Sequence, residues 1–408
     1  MRYWLETLGC PKNQVDSEKL SGRLESEGYE RADRPEAADL VVVNTCAFIE
    51  AARQESIDTI LELAEARAVG ARLAVTGCLA ERYGDELAAA LPEVDVVAGF
   101  GVPVTLGTKG PLPSFDLLNL PRPPAAAPWA YVKVAEGCDR KCGFCAIPSF
   151  RGPQRSRPLD AVLAEVDALE AQEIVLVAQD LASYGRDLGE RGIVPLVRAV
   201  AGRVPRVRLL YLYPSDLTEG LIDVIGETGC AYFDLSLQHV SRSHLRRMRR
   251  WGDGDRFLER IARIRRAHPG AAFRSSFIVG YPGETEADHD QLLAFLSEAD
   301  LDWAGLFPFS EEAGTYAASL SERVAPELAA ERLAEAAELQ DRITARRRRE
   351  LVGSAVRVLV DEPGVARSHR EAPEIDGVIR VDPALPAGSW VDVVVTGAEG
   401  PDLEGRAA

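Results

Sequence analysis

Gly137-Cys138-Asp139-Arg140-Lys141-Cys142-Gly143-Phe144-Cys145 places three cysteines within eight residues. Three thiolates on one tight loop can hold three irons of a cubane cluster. With no fourth cysteine nearby, one iron stays open to a ligand bearing amino and carboxylate groups. Structural zinc closes with four ligands, usually as CxxC or Cys/His pairs, and no histidine lies close in the sequence. Three unrelated buried cysteines are the bland alternative, and such crowding in a 408-residue chain with seven cysteines argues against it.

Around this loop the hydrophobic pattern alternates between strand and helix. Short apolar runs at 131–135, 173–178, 206–213, 232–237, 273–279 and 303–309 are separated by helical stretches such as 159–170 and 255–266. Six such units are too few for a closed eight-stranded barrel and predict an open, partial one, with functional residues following the strand ends.

Upstream, runs at 3–8, 40–44, 72–76 and 94–97 alternate with helical stretches at 13–27, 52–67 and 85–90. This βαβαβα order predicts a parallel sheet with right-handed crossovers. Cys10, Cys46 and Cys78 each fall just past a predicted strand. The C-terminal ends of parallel strands share one edge, so these cysteines, far apart in sequence, are predicted to meet there. Buried core thiols are the bland reading, weakened because all three sit at strand ends.

Between the two series, Pro111, Pro113, Pro121, Pro123, Pro124 and Pro128 mark a linker. Downstream, a charged helical stretch at 326–351 gives way to short strands at 355–360, 375–381 and 390–395, which suggest a small antiparallel β-barrel. The expected class is α/β with domains at 1–110, 124–350 and 351–408, and a proline-rich linker at 111–123.

Composition sets outer limits. Hydrophobic residues make up 46% and charged residues 27%, a globular balance. No apolar run reaches the ~20 residues that cross a bilayer, and the first residues lack a signal-peptide core, so the cytosol is expected. In that compartment the cysteines are not read as disulfides. The net charge is −17. Residues 1–105 carry ten basic and nineteen acidic residues, and 350–408 carry five and eleven. Acidic surfaces repel phosphate and attract basic partners.

The cysteine loop resembles the cluster loop of the radical S-adenosylmethionine (SAM) superfamily, including the aromatic Phe144 before the last cysteine. By that resemblance Gln179 follows a strand where the superfamily places polar SAM contacts. Ser236 and Gln238, on one face of their strand, are further candidates. Gly280, in Ile278-Val279-Gly280-Tyr281-Pro282-Gly283-Glu284, lies where a glycine-containing strand end flanks the adenosyl group.

Thr7-Leu8-Gly9-Cys10-Pro11-Lys12-Asn13, Asn44-Thr45-Cys46 and Gly77-Cys78 look like the methylthiotransferase domain, and the terminal β domain resembles the TRAM kind. The resemblance covers almost the whole chain. Within the methylthiotransferase family, Leu8-Gly9-Cys10-Pro11-Lys12-Asn13, Ala146-Ile147-Pro148-Ser149-Phe150-Arg151-Gly152, Tyr184-Gly185-Arg186-Asp187-Leu188-Gly189 and Arg367-Ser368-His369-Arg370-Glu371-Ala372-Pro373-Glu374-Ile375-Asp376-Gly377 resemble the branch that modifies an aspartate of ribosomal protein S12, with Phe150 and His369 as departures. The alternative branch acts on tRNA adenosine, and the acidic terminal domain counts against it. A non-catalytic iron–sulfur or zinc module is a third reading, disfavoured because both triads are incomplete.

The resemblance implies two 4Fe–4S clusters, Cys138/Cys142/Cys145 with SAM and Cys10/Cys46/Cys78 as the auxiliary. SAM cleavage at the first gives a 5′-deoxyadenosyl radical that takes a hydrogen from the aspartate β-carbon, and the second delivers sulfur that a further SAM methylates. Implied partners are ribosomal protein S12, an electron donor and a sulfur donor, without membrane or tRNA. Cys230, which precedes a strand, reads as a buried structural thiol, and His239 as a packing residue. Arg346-Arg347-Arg348-Arg349 reads as a solvated helix end. Glu371, Glu374 and Asp376 are expected to form an exposed acidic loop that steers a basic protein toward the barrel, and residues 350–408 to be removable without disturbing either cluster.

Overall fold

The computed structural model describes residues 1–104, 116–189 and 192–408. Positions 105–115, which include Pro111 and Pro113 of the expected linker, lie outside the described residues. Among the described residues, no helix is long and apolar enough to cross a membrane.

The N-terminal sheet is parallel, with Glu30–Arg31, Arg2–Thr7, Leu40–Thr45, Arg72–Gly77 and Val96–Ala98 side by side in that order. The central strand Leu40–Thr45 is buried along its full length, as expected for a valine-rich strand covered on both faces. The edge strand Glu30–Arg31 was not anticipated: two exposed charged residues carry no hydrophobic signal. Helices Pro11–Ser26 and Glu50–Ala66 return the chain between strands. Cys10 caps the first of them, with Pro11 in the first turn, where a missing N–H costs nothing.

The central region holds the six expected strands. Trp129–Lys133, Glu173–Val177 and Arg206–Leu209 form one parallel set, and Tyr232–Gln238, Ala272–Val279 and Trp303–Pro308 a second. The Leu212–Leu235 bridge joins them into one open, partial barrel. The third strand stops at Leu209, short of the expected 213, because Tyr211 adopts a left-handed φ of 65°, outside the extended region that continues a strand.

After helix Pro326–Arg349, the chain closes a five-stranded barrel from Ala355–Glu362, Val365–Arg367, Ile379–Arg380, Asp402–Ala407 and Trp390–Glu399. Its pairings are antiparallel except for Ile379–Arg380 beside Asp402–Ala407. The strand expected at 375–381 is reduced to Ile379–Arg380. The preceding residues leave the small barrel and enter the large one.

Residues 367–376 plug the large barrel at the N-terminal ends of its strands. Glu173, Arg206 and Tyr232 each begin a strand there. Arg206 and Arg208 donate to the carbonyls of Ser368 and His369, both at 3.0 Å. Tyr131 donates to the Pro373 carbonyl at 2.9 Å, and Trp303 to that of Arg370 at 2.7 Å. Glu173, fully buried, accepts from Arg208 at 2.8 Å and from Arg367 at 3.1 Å.

Two expectations fall here. Glu371 is fully buried, ion-paired with Arg348 and accepting from the Ser368 hydroxyl at 2.6 Å. Asp376 accepts from the Tyr232 hydroxyl at 2.6 Å and the Ala372 amide at 2.8 Å. Of the three acids expected to steer a partner, only Glu374 is exposed. The arginine run is a solvated helix end only in part: Arg346 and Arg349 are exposed, the other two are not. Arg348 is buried, and Arg347 reaches Asp300 and Asp302 at 2.9 Å each. Each charge is retained inside because a counter-charge and hydrogen bonds meet it. The terminal barrel is therefore built into the central one, and its removal would leave Glu173 and Arg208 without Arg367 and the plug carbonyls.

Candidate active site

The cysteine loop begins at the opposite mouth, after the first barrel strand. Gly137 has a φ of 76°, and a Cβ there would lie 2.1 Å from the Pro153 carbonyl oxygen, so only glycine opens the loop. The Cys138 amide donates to Gly152 at 3.1 Å and the Gly143 amide to Met248 at 2.7 Å. These bonds fold Cys138, Cys142 and Cys145 onto one side, close enough to act electrostatically on one another. Burial pushes the Cys138 thiol up to about 11 and Cys145 up to about 12. Cys138 and Cys145 thus favour the thiol at neutral pH, and a metal must compensate for burying these two as thiolates. Arg250 points at the Cys142 sulfur from 3.4 Å and also bonds the Ser236 carbonyl.

The second triad forms across three strand ends. Cys46 and Cys78 directly follow Leu40–Thr45 and Arg72–Gly77, and Cys10 follows Arg2–Thr7 after a short turn. Gly9, with φ 95°, lets that turn pass Cys46: a Cβ there would sit 2.8 Å from Cys46 Cβ. Gly77, with φ 90°, leaves room for Asn44, whose Oδ1 a Cβ would approach to 2.3 Å. Burial pushes Cys46 up to about 12 and raises Cys78 despite Arg151. Burial works against ionisation of Cys10 as well, but Lys12, Arg151 and the amides of Asn13 and Lys12 outweigh it and lower its pKa. All seven cysteines are free thiols.

A buried ionic bridge joins the two triads. Arg151 donates to the Cys78 sulfur at 2.9 Å, to Asn13 Oδ1 at 2.8 Å and to Glu136 at 2.8 Å. Lys133 pairs with Asp16 and, at 2.6 Å, with Glu136. Glu136 immediately precedes the cysteine loop and also accepts from Gln179 at 2.8 Å. Burial would raise its pKa, but Arg151 and Lys133 hold it well below the usual carboxylate range.

The predicted SAM contacts converge unevenly. Gln179 follows its strand as expected, with its Oε1 buried and unpartnered. Phe144 packs against the barrel core. Ser236 and Gln238 are half-buried with Leu237 buried between them, while the pairing register shifts between Leu235 and Gln238, where Gln238 has a φ of 73°. Gly280 has a φ of 80°, and a Cβ would come 2.8 Å from that of Ala329, so helix packing by itself requires glycine there. Cys230 is buried at the plugged mouth, 3.8 Å from the His369 carbonyl, and His239 is buried with Nδ1 accepting from the Ser241 amide.

Arg151, Asn13 and Arg250 escaped the sequence reading. The first two lie inside segments already singled out, Phe150-Arg151-Gly152 and Lys12-Asn13, and an arginine or asparagine beside a cysteine pattern was the available signal. Arg250, in an arginine-rich stretch just past helix Arg242–Arg247, carried none.

An open barrel with a three-thiol loop at the C-terminal ends of its strands defines a radical SAM enzyme. Accordingly, the model of the Radical SAM superfamily matches residues 132–296. Residues 2–99 match uncharacterized protein family UPF0004, and 352–408 match the TRAM domain. The chain is 47% identical to ribosomal protein uS12 methylthiotransferase RimO of Moorella thermoacetica, covering 97% of this chain and 96% of that protein. It is 41% identical to the protein of the same name from Streptomyces coelicolor, covering 98% and 95%. The fold is also that of a radical SAM methyltransferase, TsrM from Kitasatospora setae, with a TM-score of 0.53 at 15% identity, covering 84% of this chain and 89% of that one. The chain belongs to the ribosomal protein uS12 methylthiotransferase (RimO) family.

Proposed function

We propose that this chain adds a methylthio group to the β-carbon of an aspartate in ribosomal protein uS12, by radical chemistry that uses SAM and two 4Fe–4S clusters. The observation that carries this reading is the pair of three-thiol sites bridged by Arg151 and Glu136 in a chain with full-length relatives of that name. Hydrogens on the carbon beside a carboxylate are too weakly acidic for side-chain bases, so a cofactor must carry this step.

The donor set fits the two clusters. Cys10/Cys46/Cys78 and Cys138/Cys142/Cys145 each offer three thiols, and the seventh cysteine lies at the far mouth. Arg250 Nε and Gln179 Oε1 are buried beside the loop triad without partners, as expected of polar groups that meet a ligand. When bound, the loop cluster with SAM supplies the hydrogen-abstracting radical and the sheet cluster the sulfur. The chain itself shields the sheet triad more than the loop triad: Cys46, Cys78 and Cys138 are less than a tenth exposed, while Cys10, Cys142 and Cys145 are partly exposed. Arg250 and Arg151 each direct N–H groups at one sulfur, favouring thiolate. Arg140, fixed by Asp180 at 2.6 Å and by Asp216, braces the loop beside Cys138. Phe144, Gln179, Ser236, Gln238 and Gly280 are proposed to border the SAM site.

We assign residues 1–110 to the auxiliary-cluster domain, 111–123 to a linker, 124–350 to the radical domain and 351–408 to the TRAM domain. Cytoplasmic location, an electron donor and a sulfur donor belong to the same reading. An RNA grip is disfavoured: of the five arginines after 350, Arg367 is buried against Glu173 and Asp361, Arg370 is paired with Asp302, and Arg380 with Asp402. Mass spectrometry of uS12 and tRNA from cells with and without this gene tests the assignment. A methylthio increment lost from uS12 alone is expected. Its loss from tRNA adenosine instead would replace this reading with the tRNA one.

A further inference from the structure

Four cations stand against the six cluster cysteines, and two are already neutralised. Arg140 is held by Asp180 and Asp216, and Arg151 by Glu136 and Asp16. Arg250 has no carboxylate within reach among the described residues, but it bonds the Ser236 carbonyl and the Cys142 sulfur, which commits it to the loop triad. The fourth is Lys12, two residues from Cys10 on the sheet triad. Its ammonium rests 3.6 Å from the centroid of the Tyr211 ring, and no hydrogen bond or ion pair joins it to any described residue.

The seat beneath Lys12 is unusual. Tyr211 is one of few non-glycine residues with a left-handed φ, at 65°, and its amide is tied to Asp234 at 2.9 Å. A non-glycine residue held in that region is strained and persists where the surroundings fix it, often at functional sites. Tyr211 comes from the barrel and Lys12 from the first turn of the N-terminal domain's helix Pro11–Ser26, so the pair spans the seam between the two domains. A ring face covers one side of an ammonium and leaves its other N–H groups free for an anion.

Building on the uS12 reading above, we propose that Lys12, seated on Tyr211, binds the side-chain carboxylate of the substrate aspartate and so sets the enzyme's preference for that residue. The reacting β-carbon is bonded directly to the carboxyl carbon. Sulfur delivered from the triad that includes Cys10 must therefore arrive within a few ångströms of a carboxylate. Taking that carboxylate out of water unpaired is costly, so a free cation is needed at this position. Lys12, although it acts electrostatically on Cys10, is the one cation beside the sheet triad without a hydrogen bond or ion pair among the described residues. Arg274 lies deeper in the barrel and is occupied by Asp234 at 3.2 Å and Asp376 at 3.5 Å.

The test compares the reconstituted full-length enzyme with K12Q and K12R on uS12 and on a uS12 variant with asparagine at the modified position. Iron content and SAM binding are measured alongside. Wild type should prefer the aspartate protein strongly. K12Q should keep its iron and SAM affinity, lose at least about 30-fold in kcat/KM on the aspartate protein, mostly through KM, and lose most of its discrimination against asparagine. K12R should retain the preference. An unchanged aspartate-to-asparagine ratio in K12Q overturns the proposal. Weakened SAM binding would instead give Lys12 to the methionyl carboxylate, and loss of iron would make it a support for the cluster; either result also overturns it. Failure of wild type to modify uS12 at all is a separate outcome, which removes the functional reading and this inference with it.

Discussion

The two cysteine triads reach the same donor set by opposite routes. Cys138, Cys142 and Cys145 lie on one loop whose shape comes from its own glycines and from amide bonds to Gly152 and Met248. Cys10, Cys46 and Cys78 come from three strand ends and are aligned only when the parallel register of the N-terminal sheet is correct. The first is a local motif mounted on a barrel. The second is a product of tertiary structure, and one of its sulfurs is bonded by Arg151, a residue of the other domain. A local site should tolerate distant damage, and a dispersed one should not.

The largest expected effect separates the two chemically. Changing Cys138, Cys142 and Cys145 to alanine should abolish SAM cleavage and remove about half the iron, because a cluster without its thiolates is not held. The same change at Cys10, Cys46 and Cys78 should remove the other half and all sulfur transfer, yet leave SAM cleavage. Methylthio product from the second variant would break the assignment.

Arg151→Met should fall next. Removing one member of a buried ion network costs about 3–5 kcal/mol, since Glu136 and Asp16 stay behind with only Lys133. Iron should drop toward four per chain, with the loop cluster retained, as read by iron analysis and by surviving SAM cleavage. Equal loss from both sites would erase the local-versus-dispersed distinction.

A third test uses pH at the plugged mouth. Burial raises the Glu173 pKa, but Arg367, Arg208 and Arg206 overcome it and bring it to about 2. A folded pKa below the unfolded one gives stability that is full above the unfolded value of 4.5 and is lost as pH falls toward 2. The urea midpoint of wild type should therefore decline between pH 5 and 3, and that of E173Q, lower at the start, should decline less. Identical pH slopes would show that Glu173 is not the linked group.

Cys230→Ser should have the smallest effect. Iron content should be unchanged and stability reduced by no more than ~1–2 kcal/mol for burying a hydroxyl. Loss of iron would mean that a triad is misassigned.

The contrast also explains what the sequence could reveal. CxxxCxxC is legible because spacing alone defines it. Cys10, Cys46 and Cys78 were legible because parallel strands share a C-terminal edge, so predicting the strands predicted the meeting. The acidic loop was misread for the same physical reason that charge counting usually succeeds: Glu and Asp are almost never buried unless paired. The partners of Glu371 and Asp376 are Arg348, Tyr232 and Arg274, and all three belong to the preceding domain. Nothing in the local pattern announces them. Arg151 and the Lys12–Tyr211 contact were hidden likewise, since each depends on how the sheet meets the barrel.

The plug at residues 367–376 also has a bearing on the order of assembly during synthesis. Glu173 meets Arg367 only after 194 further residues have been added. Until then, one mouth of the barrel holds an arginine-paired glutamate and a set of side-chain donors without the carbonyls they will bond. A nascent chain that already displays the cysteine loop therefore still lacks the piece that locks its strands together from behind. The ribosome finishes the scaffold after it finishes the metal-binding motif, and a prematurely terminated chain would be marked by an open barrel end that proteases can recognise.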